Sequence, residues 1–310
     1  MDNPLVSVVV ITYNSAETII ETLESIKAQT YQNIELIISD DYSKDKTIII
    51  AEKWLGCNQE RFKRVIVNIS DKNKGIPANC NNGCRLAAGI WIKIIAGDDA
   101  LMPNCIKDYI SFISKKNVIK ACHSSKKVYE QFLSDKNLIC EHFKQNNITT
   151  IPESTSEQQL NALFWGPCIE ACTLFFQKAL FDEIKGFDER IRLSEDWAFY
   201  IKICLSGNKW YFLDKDTVKY RVNSKSVYSG SSINHIFPTF YKTEKIVYEY
   251  WIKPYARWNV RFYWRYLFFI KETFAVLGMN TRIWMNVFMY KLIVWPANIL
   301  KKHGYDCITN

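Results

Sequence analysis

"LVSVVVITYN" occupies residues 5–14. From Leu5 to Thr12 the run is apolar and rich in β-branched residues, without the polar alternation of a half-exposed strand. It therefore reads as a strand buried on both faces. Such strands belong to parallel sheets covered by helices, and the next eighty residues repeat the pattern. "IELIIS" (34–39), "RVIVNI" (64–69) and "WIKIIA" (91–96) are three further strands. Helical segments separate them. One opens at Asn14, where Glu17 completes a capping box, and runs through about Lys27. A second covers 46–55, capped by Ser43 or Asp45, and a third covers 77–88 with Pro77 in its first turn. Strands alternating with helices predict an α/β fold with a mostly parallel central sheet flanked by helices.

The pattern continues less regularly. A helix is expected over 104–115, strands near 118–123 and 126–133, and a polar, loop-like stretch over 145–160. "CTLFFQ" (172–177) reads as a strand, and "SEDWAFYIKICLSG" (194–207) as a helix ended by Gly207. "KWYFLD" and "TVKYRV" read as two short strands.

Composition bounds the rest. With 310 residues, 48% hydrophobic and 23% charged, the chain is globular, one large domain or a domain with an appendage. The start "MDNPLVSVVVITYN" has Asp2 and no basic n-region, so it does not read as a secretory signal. The ten cysteines are scattered and are expected to be reduced, cytosolic core residues. Cys80/Cys84 and Cys168/Cys172 lack the CxxC or His-rich surroundings of a metal site.

The net charge of +8 is concentrated at one end. Residues 241–310 hold 11 Lys/Arg against 4 Asp/Glu, and 18 of the 45 aromatics, which sets a boundary near 235–245. Segments 258–274 and 282–302 look helical, the second interrupted by Pro296, and neither reaches the ~20 apolar residues that span a bilayer. Basic residues beside Trp and Phe fit an interfacial anchor on an anionic membrane surface. A cap packed on the main domain or a dimer interface fits the same composition. Nucleic acid is not expected as a partner, because the acids described next would repel its phosphates.

In open parallel sheets, ligands bind beyond the carboxyl ends of the strands. Tyr13 and Asn14 end the first strand, Asp40 and Asp41 the second, Asp98 and Asp99 the fourth. The chain has no GxGxxG after the first strand and no GxxxxGK[ST], so a dinucleotide fold or a P-loop is not indicated. Paired acids without a glycine cradle can hold a diphosphate through Mg²⁺ or Mn²⁺, which takes one or two carboxylates plus phosphate oxygens.

"VSVVVITYN", "ELIISDDYSKD", "NKGIPANCNNGCRLAAGIWIKIIAGDD" and "GFDERIRLSEDWAFYIKI" occur in this order. Over roughly 5–225 the chain resembles the family 2 inverting glycosyltransferases of bacterial polysaccharide and lipopolysaccharide assembly, which have the GT-A (Rossmann-like) fold. The resemblance implies a GT-A catalytic domain over 1–235, with a nucleotide-sugar half at about 1–100 and an acceptor half at about 101–235. A helical extension over 236–310 follows. It implies transfer from a nucleotide diphosphate sugar, most simply a UDP-sugar, to a saccharide or polyprenyl-diphosphate-linked acceptor. The implied setting is the inner face of the plasma membrane.

Residue by residue, it sets Thr12, Tyr13 and Asn14 beside the nucleotide, and Asp41 on the uracil. Asp98 faces the ribose or donor, Asp99 holds the metal (Mn²⁺ or Mg²⁺), and Asp196 of "SEDW" is the catalytic base. Several positions depart from the family pattern. Tyr42 replaces a glycine, Ala96 the first acid of "DSDD", and Asn223 a histidine. Cys80 replaces an arginine near the diphosphate, leaving Lys74 or Asn79 for that role.

Inversion is a single in-line displacement, and a carboxylate that takes the acceptor's proton contributes on the order of 10²–10⁴ in rate. Asp196 falls in the first turn of its helix, where the dipole favours the ionised form. Glu195 is the rival base and, with Trp165 and Trp197, a candidate acceptor contact. Trp165, Trp197 and Tyr200 could stack on sugar faces or pack in the core. Two other functions fit parts of the pattern: a nucleotidyltransferase-like enzyme, and a catalytically silent glycan- or lipid-binding scaffold, which Ala96 and Cys80 would suit.

Overall fold

The structure, a computed structural model, describes residues 3–116, 118–144, 146–222, 235–237 and 241–309. β1 (Val6–Thr12), α1 (Ile19–Lys27), β2 (Ile34–Asp40), α2 (Thr47–Asn58), β3 (Arg64–Ile69), α3 (Ile76–Leu86) and β4 (Trp91–Ala96) alternate as the sequence predicts. β1 pairs in parallel with β2 and β4, and β2 with β3. Val8, Val9 and Val10 are fully buried, which is why β1 shows no polar alternation.

The second half supplies β5 (Ala100–Leu101), α4 (Cys105–Ile113), β6 (Ala121–Glu130), β7 (Leu138–Phe143), α5 (Ser156–Leu163), β8 (Phe175–Gln177), α6 (Lys178–Glu183), α7 (Glu195–Leu205) and β9 (Trp210–Val222). Among the described residues these complete a nine-stranded sheet of order β3-β2-β1-β4-β8-β6-β9-β5, with β7 on β6. The short β8 runs antiparallel to both β4 and β6 and joins the parallel half to the mixed half. β5 pairs with β9, Ala100 opposite Lys219, and so brings the end of β9 beside the turn after β4.

Several local expectations change. α1 starts at Ile19, not after Asn14. Asn14 has φ 54°, its amide donates to Ser43 Oγ and its Oδ1 accepts from the Lys44 amide, both at 2.8 Å. The amides of Ser15 and Ala16 donate to Thr47 Oγ1 and Asp45 Oδ2. Residues 14–16 are thus stapled to the β2–α2 loop, and no capping box forms at Asn14. The stretch 145–160 is not all loop: a capping box between Thr155 and Gln158 opens α5. The strands expected at 118–123 and 126–133 are one strand, β6, and "KWYFLD" and "TVKYRV" are one strand, β9. The polar residues between these two segments are held in β9 by Lys144, paired with Asp214 at 3.0 Å, and by His142 Nδ1, hydrogen-bonded to Asp216 at 2.9 Å.

The tail forms α8 (Tyr241–Val247), a π turn (Tyr248–Ile252), α9 (Trp258–Val276) and α10 (Trp284–Thr309). Pro296 lies inside α10 and does not end it. One face of α9 buries Val260, Tyr263, Trp264, Leu267, Phe268 and Phe274. Trp264 packs on Trp197 of α7 with ring centroids 5.4 Å apart, and its Nε1 donates to Phe164 O at 2.8 Å. α7 therefore has no solvent face beyond its first turn. Phe199 meets Phe176 of the sheet on one side and Trp197 meets α9 on the other, which explains a helix apolar beyond its first turn except at Lys202, whose Nζ donates to Gly186 O. One apolar cluster runs from Val9 to Ala297.

The other face of α9 presents Trp258, Arg261, Phe262, Arg265, Tyr266 and Phe269 to an open groove. These six follow the spacing of a single helical stripe. Trp258 is 75% and Phe269 68% exposed. α10 adds exposed Trp284, Phe288, Leu292 and Trp295. Among the described residues no helix is long and apolar enough to cross a membrane.

Candidate functional site

Register fixes the site. Thr12 lies opposite Asp40 and Ile11 opposite Ala96, so β1, β2 and β4 finish level and their following turns face one another. Asp40 is fully buried and spends its carboxylate on Thr12 Oγ1 (2.8 Å) and on the amide (2.8 Å) and hydroxyl (2.5 Å) of Ser43. Asp41 accepts the amides of Lys74 at 2.8 Å and Gly75 at 2.7 Å, and so ties the β3–α3 loop to β2. Tyr42 has φ 67°, a left-handed backbone that favours glycine, the residue the family resemblance implies here.

These turns enclose an open crevice of 330 Å³. Thr12, Tyr13, Asp41, Asn79, Asp98 and Arg192 are among its lining residues. Asn14, expected beside the nucleotide, does not line it; its side chain braces the loop after β2. Lys74 is also outside the lining, and its Nζ holds Asp71 at 2.7 Å. Asn79 is buried, with Oδ1 accepting from Ser39 Oγ and Nδ2 donating to Thr12 O. Cys80 is 4% exposed.

A second cavity of 320 Å³ continues inward, mostly apolar but carrying four carboxylates, Asp98, Asp99, Glu195 and Asp196. Ile11, Ile76, Ala96, Asp98 and Leu193 line both spaces and form the waist between them.

Asp99 is buried, and its Oδ1 accepts the Arg221 amide of β9 at 2.9 Å. Burial, and then the charge of Asp98, push its carboxyl up to about 8. Asp98 is half-buried and no neighbouring side chain hydrogen-bonds its carboxylate among the described residues; burial raises its pKa too. Two adjacent carboxylates disfavoured as anions are a donor set that gains from a hard cation. The described residues contain no cluster of three or more His, Cys, Asp or Glu able to cage a metal. The pair therefore fits a cation shared with phosphate oxygens. Of the two, Asp98 is at the waist, whereas Asp99, the ligand expected from the sequence, sits behind it.

Glu195 and Asp196 begin α7, after Ser194 at φ 64°. Asp196 Oδ2 accepts from Tyr200 Oη at 2.9 Å and Oδ1 from the Trp197 amide at 2.8 Å. The helix dipole does not dominate here. Burial raises the Asp196 pKa despite these donors, and burial with the neighbouring Asp196 pushes Glu195 up to about 8. Trp165 and Trp197 are 2% and 1% exposed, so neither offers a face to a sugar. Trp197 Nε1 donates to Leu163 O, and Trp165 packs against Tyr263. Both are core residues, as is the fully buried Tyr200. Asn223 lies outside the described residues.

The sequence reading missed Arg192, Leu193, Tyr220 and Arg221. All four reach the site through long-range packing, and no local periodicity signals them. Arg221 is locked in place, with Nε on Asp98 O, Nη1 on Gln131 O and Nη2 on Glu21.

The family profile described as Glycosyl transferase family 2 matches residues 7–183, more than half of the chain, and ends ahead of Glu195 and Asp196. A glycosyltransferase of Rickettsia typhi is 30% identical over 240 residues, 76% of this chain and 69% of that protein. Escherichia coli WfaP, a UDP-Glc:alpha-D-GlcNAc-diphosphoundecaprenol beta-1,3-glucosyltransferase, is 25% identical over 87% of this chain and 96% of its own length. Among solved structures, S. aureus TarS 1–349 in complex with UDP-GlcNAc matches with a TM-score of 0.59 and 21% identity, over 78% of this chain and 65% of that one. The mannosyltransferase PcManGT of Pyrobaculum calidifontis, in complex with GDP-Man and Mn²⁺, matches with 0.55 and 18%, over 69% and 55%. The chain thus spans less than two thirds of these structures' lengths. At such identities they show the fold, the mixed α/β GT-A arrangement expected from the sequence.

Proposed function

The chain belongs to glycosyl transferase family 2, and from that premise we propose that it moves a sugar, with inversion, from a UDP-sugar to a hydroxyl of a lipid-linked saccharide. The observation that carries the reading is the waist at Asp98. An open crevice meets an acid-lined cavity of similar volume there, and Asp196 lines the inner one. Nucleoside, diphosphate and sugar need that succession of spaces.

In the reaction, the acceptor oxygen attacks the anomeric carbon as the bond to the β-phosphate oxygen breaks. The bonding pair leaves with the nucleoside diphosphate, and the hydroxyl proton goes to Asp196. Tyr200 and the Trp197 amide orient the carboxylate and leave each oxygen a lone pair for that proton. The apolar walls exclude water that would compete with the acceptor. Mn²⁺ or Mg²⁺ held on Asp98, with Asp99 behind it, would neutralise charge on the departing diphosphate. Asp41 fixes the β3–α3 loop and contributes to the base end of the crevice with Thr12 and Tyr13.

WfaP uses a UDP-sugar and a diphosphoundecaprenol-linked acceptor, which supports assigning the same classes here; the family resemblance supports a place in bacterial surface polysaccharide assembly. The aromatic, basic face of α9 and α10 docks on an anionic membrane, the inner face of the plasma membrane, where such acceptors lie.

The test is calorimetry with UDP-, GDP- and dTDP-sugars, with and without Mn²⁺, followed by assay of release of the nucleoside diphosphate. Mn²⁺-dependent binding and hydrolysis of a UDP-sugar are expected. No binding of any of them at millimolar ligand would leave a silent scaffold.

A further inference from the structure

We propose that Arg192 is the protein's own cation for the donor diphosphate, an inference that rests on the nucleotide-sugar reading above. Where the family resemblance implies an arginine near this group stands Cys80, a buried thiol whose pKa burial raises well above the ordinary range. It carries no charge to offer. Of the two substitutes visible in the sequence, Asn79 is spent on Ser39 and Thr12, and Lys74 lies outside the crevice lining with its Nζ on the exposed Asp71.

Arg192 is placed to do this work. Among the described residues lining the crevice, it is the one cation, alongside Asp41 and Asp98. Asp41 is already bonded to two amides. Among the described residues Arg192 has no hydrogen bond or ion pair, and its side chain is exposed. It precedes Leu193, a waist residue shared by the crevice and the acid-lined cavity. The diphosphate is the link between nucleoside and sugar, so it must cross that waist.

The charge balance also asks for it. A nucleoside diphosphate sugar brings about two negative charges to a cavity lined by four carboxylates, and the one arginine in that lining, Arg221, is already committed to Asp98 O, Gln131 O and Glu21. A divalent ion offsets part of this. A guanidinium adds a fixed charge and a fork that matches two phosphate oxygens.

The loop that carries Arg192 is anchored at its root. Arg190 Nε and Nη2 hold Asp188 at 2.9 and 2.6 Å, and Trp251 Nε1 donates to Asp188 Oδ2 at 2.8 Å. Asn81 Nδ2 donates to Phe187 O and Glu189 Oε1. Two arginines two residues apart thus differ in kind. Arg190 braces the loop, and Arg192 extends from it over the crevice.

The experiment titrates full-length protein with UDP, UMP and uridine in the presence of Mn²⁺, comparing wild type, Arg192→Ala and Arg192→Lys, with melting temperatures alongside. For Arg192→Ala we expect UDP to weaken by about 10- to 100-fold, the usual worth of a charged hydrogen bond. Uridine binding and the melting temperature should not change, and Arg192→Lys should fall between. If wild type binds UDP more tightly than uridine and Arg192→Ala does so equally well, the inference is overturned while the sugar-transfer reading stands. Equal loss of UDP and uridine with a lowered melting temperature would also overturn it, because the role would then be loop structure. Wild type that binds no UDP would overturn both.

Discussion

Tyr200 Oη donates to Asp196 Oδ2 across 2.9 Å, one helical turn apart at the start of α7. Tyr200 is fully buried, so its hydroxyl is a fixed donor that favours the ionised carboxylate. Burial acts the other way and wins, holding Asp196 above the ordinary carboxylate range. A base works only when ionised, so transfer should rise with pH as Asp196 loses its proton, and its acid limb should lie higher than for an exposed aspartate. Tyr200→Phe removes a donor to the anion and should move that limb to still higher pH, with the plateau rate retained. A pH profile of kcat checks this; an unmoved limb would mean that Tyr200 does not tune Asp196.

The tail belongs to the core as well as to the surface. Trp264 packs against Trp197 and is 4% exposed. Trp264→Ala should cost about 3–5 kcal/mol of unfolding free energy, the usual range for a buried aromatic. Urea denaturation measures it, and a loss below about 1 kcal/mol would show that α9 is only loosely attached. For the same reason, cutting the chain near residue 250 would uncover the face of α7 that α9 covers, so point substitutions are the cleaner probe of the surface.

Those substitutions belong on the opposite face of α9. Arg261 and Arg265 are exposed, one turn apart, between Trp258, Phe262 and Phe269. Wild type should sediment with vesicles containing anionic lipid and be released by salt. Replacing both arginines by glutamate should weaken binding by at least about tenfold, since each basic residue contributes about 1 kcal/mol near such a surface. Equal sedimentation of wild type and variant would remove the lipid assignment, and a concentration-dependent dimer that Trp258→Ser breaks would point to a second copy of the chain.

Much of this was legible in the sequence. β1, β2 and β4 were visible because strands buried on both faces lose polar alternation, β3 at the sheet edge because of its β-branched run, and the paired acids then marked carboxyl ends. Less visible was whatever depends on partners distant in the chain. β9 reads as two strands because polar residues interrupt it at Asp214 and Asp216, until Lys144 pairs with the first and His142 hydrogen-bonds the second. Asn14 and Glu17 spell a helix start, yet the β2–α2 loop claims the amides of residues 14–16. Trp165, Trp197 and Tyr200 are equally apt for a sugar platform or a core, and only the packing of α9 over α7 decides. Arg192 and Arg190 look alike in "DERIRL", and the difference between them is that Asp188 folds back onto one.

Sugar transfer with Asp196 as the base is tested most directly by Asp196→Asn, in a paired measurement of UDP affinity and single-turnover transfer from a saturating UDP-sugar. The amide keeps the shape of the carboxylate and loses its ability to take a proton. UDP affinity should stay within about twofold while transfer falls by on the order of 10²–10⁴. Transfer at the wild-type rate with UDP affinity intact would contradict the assignment.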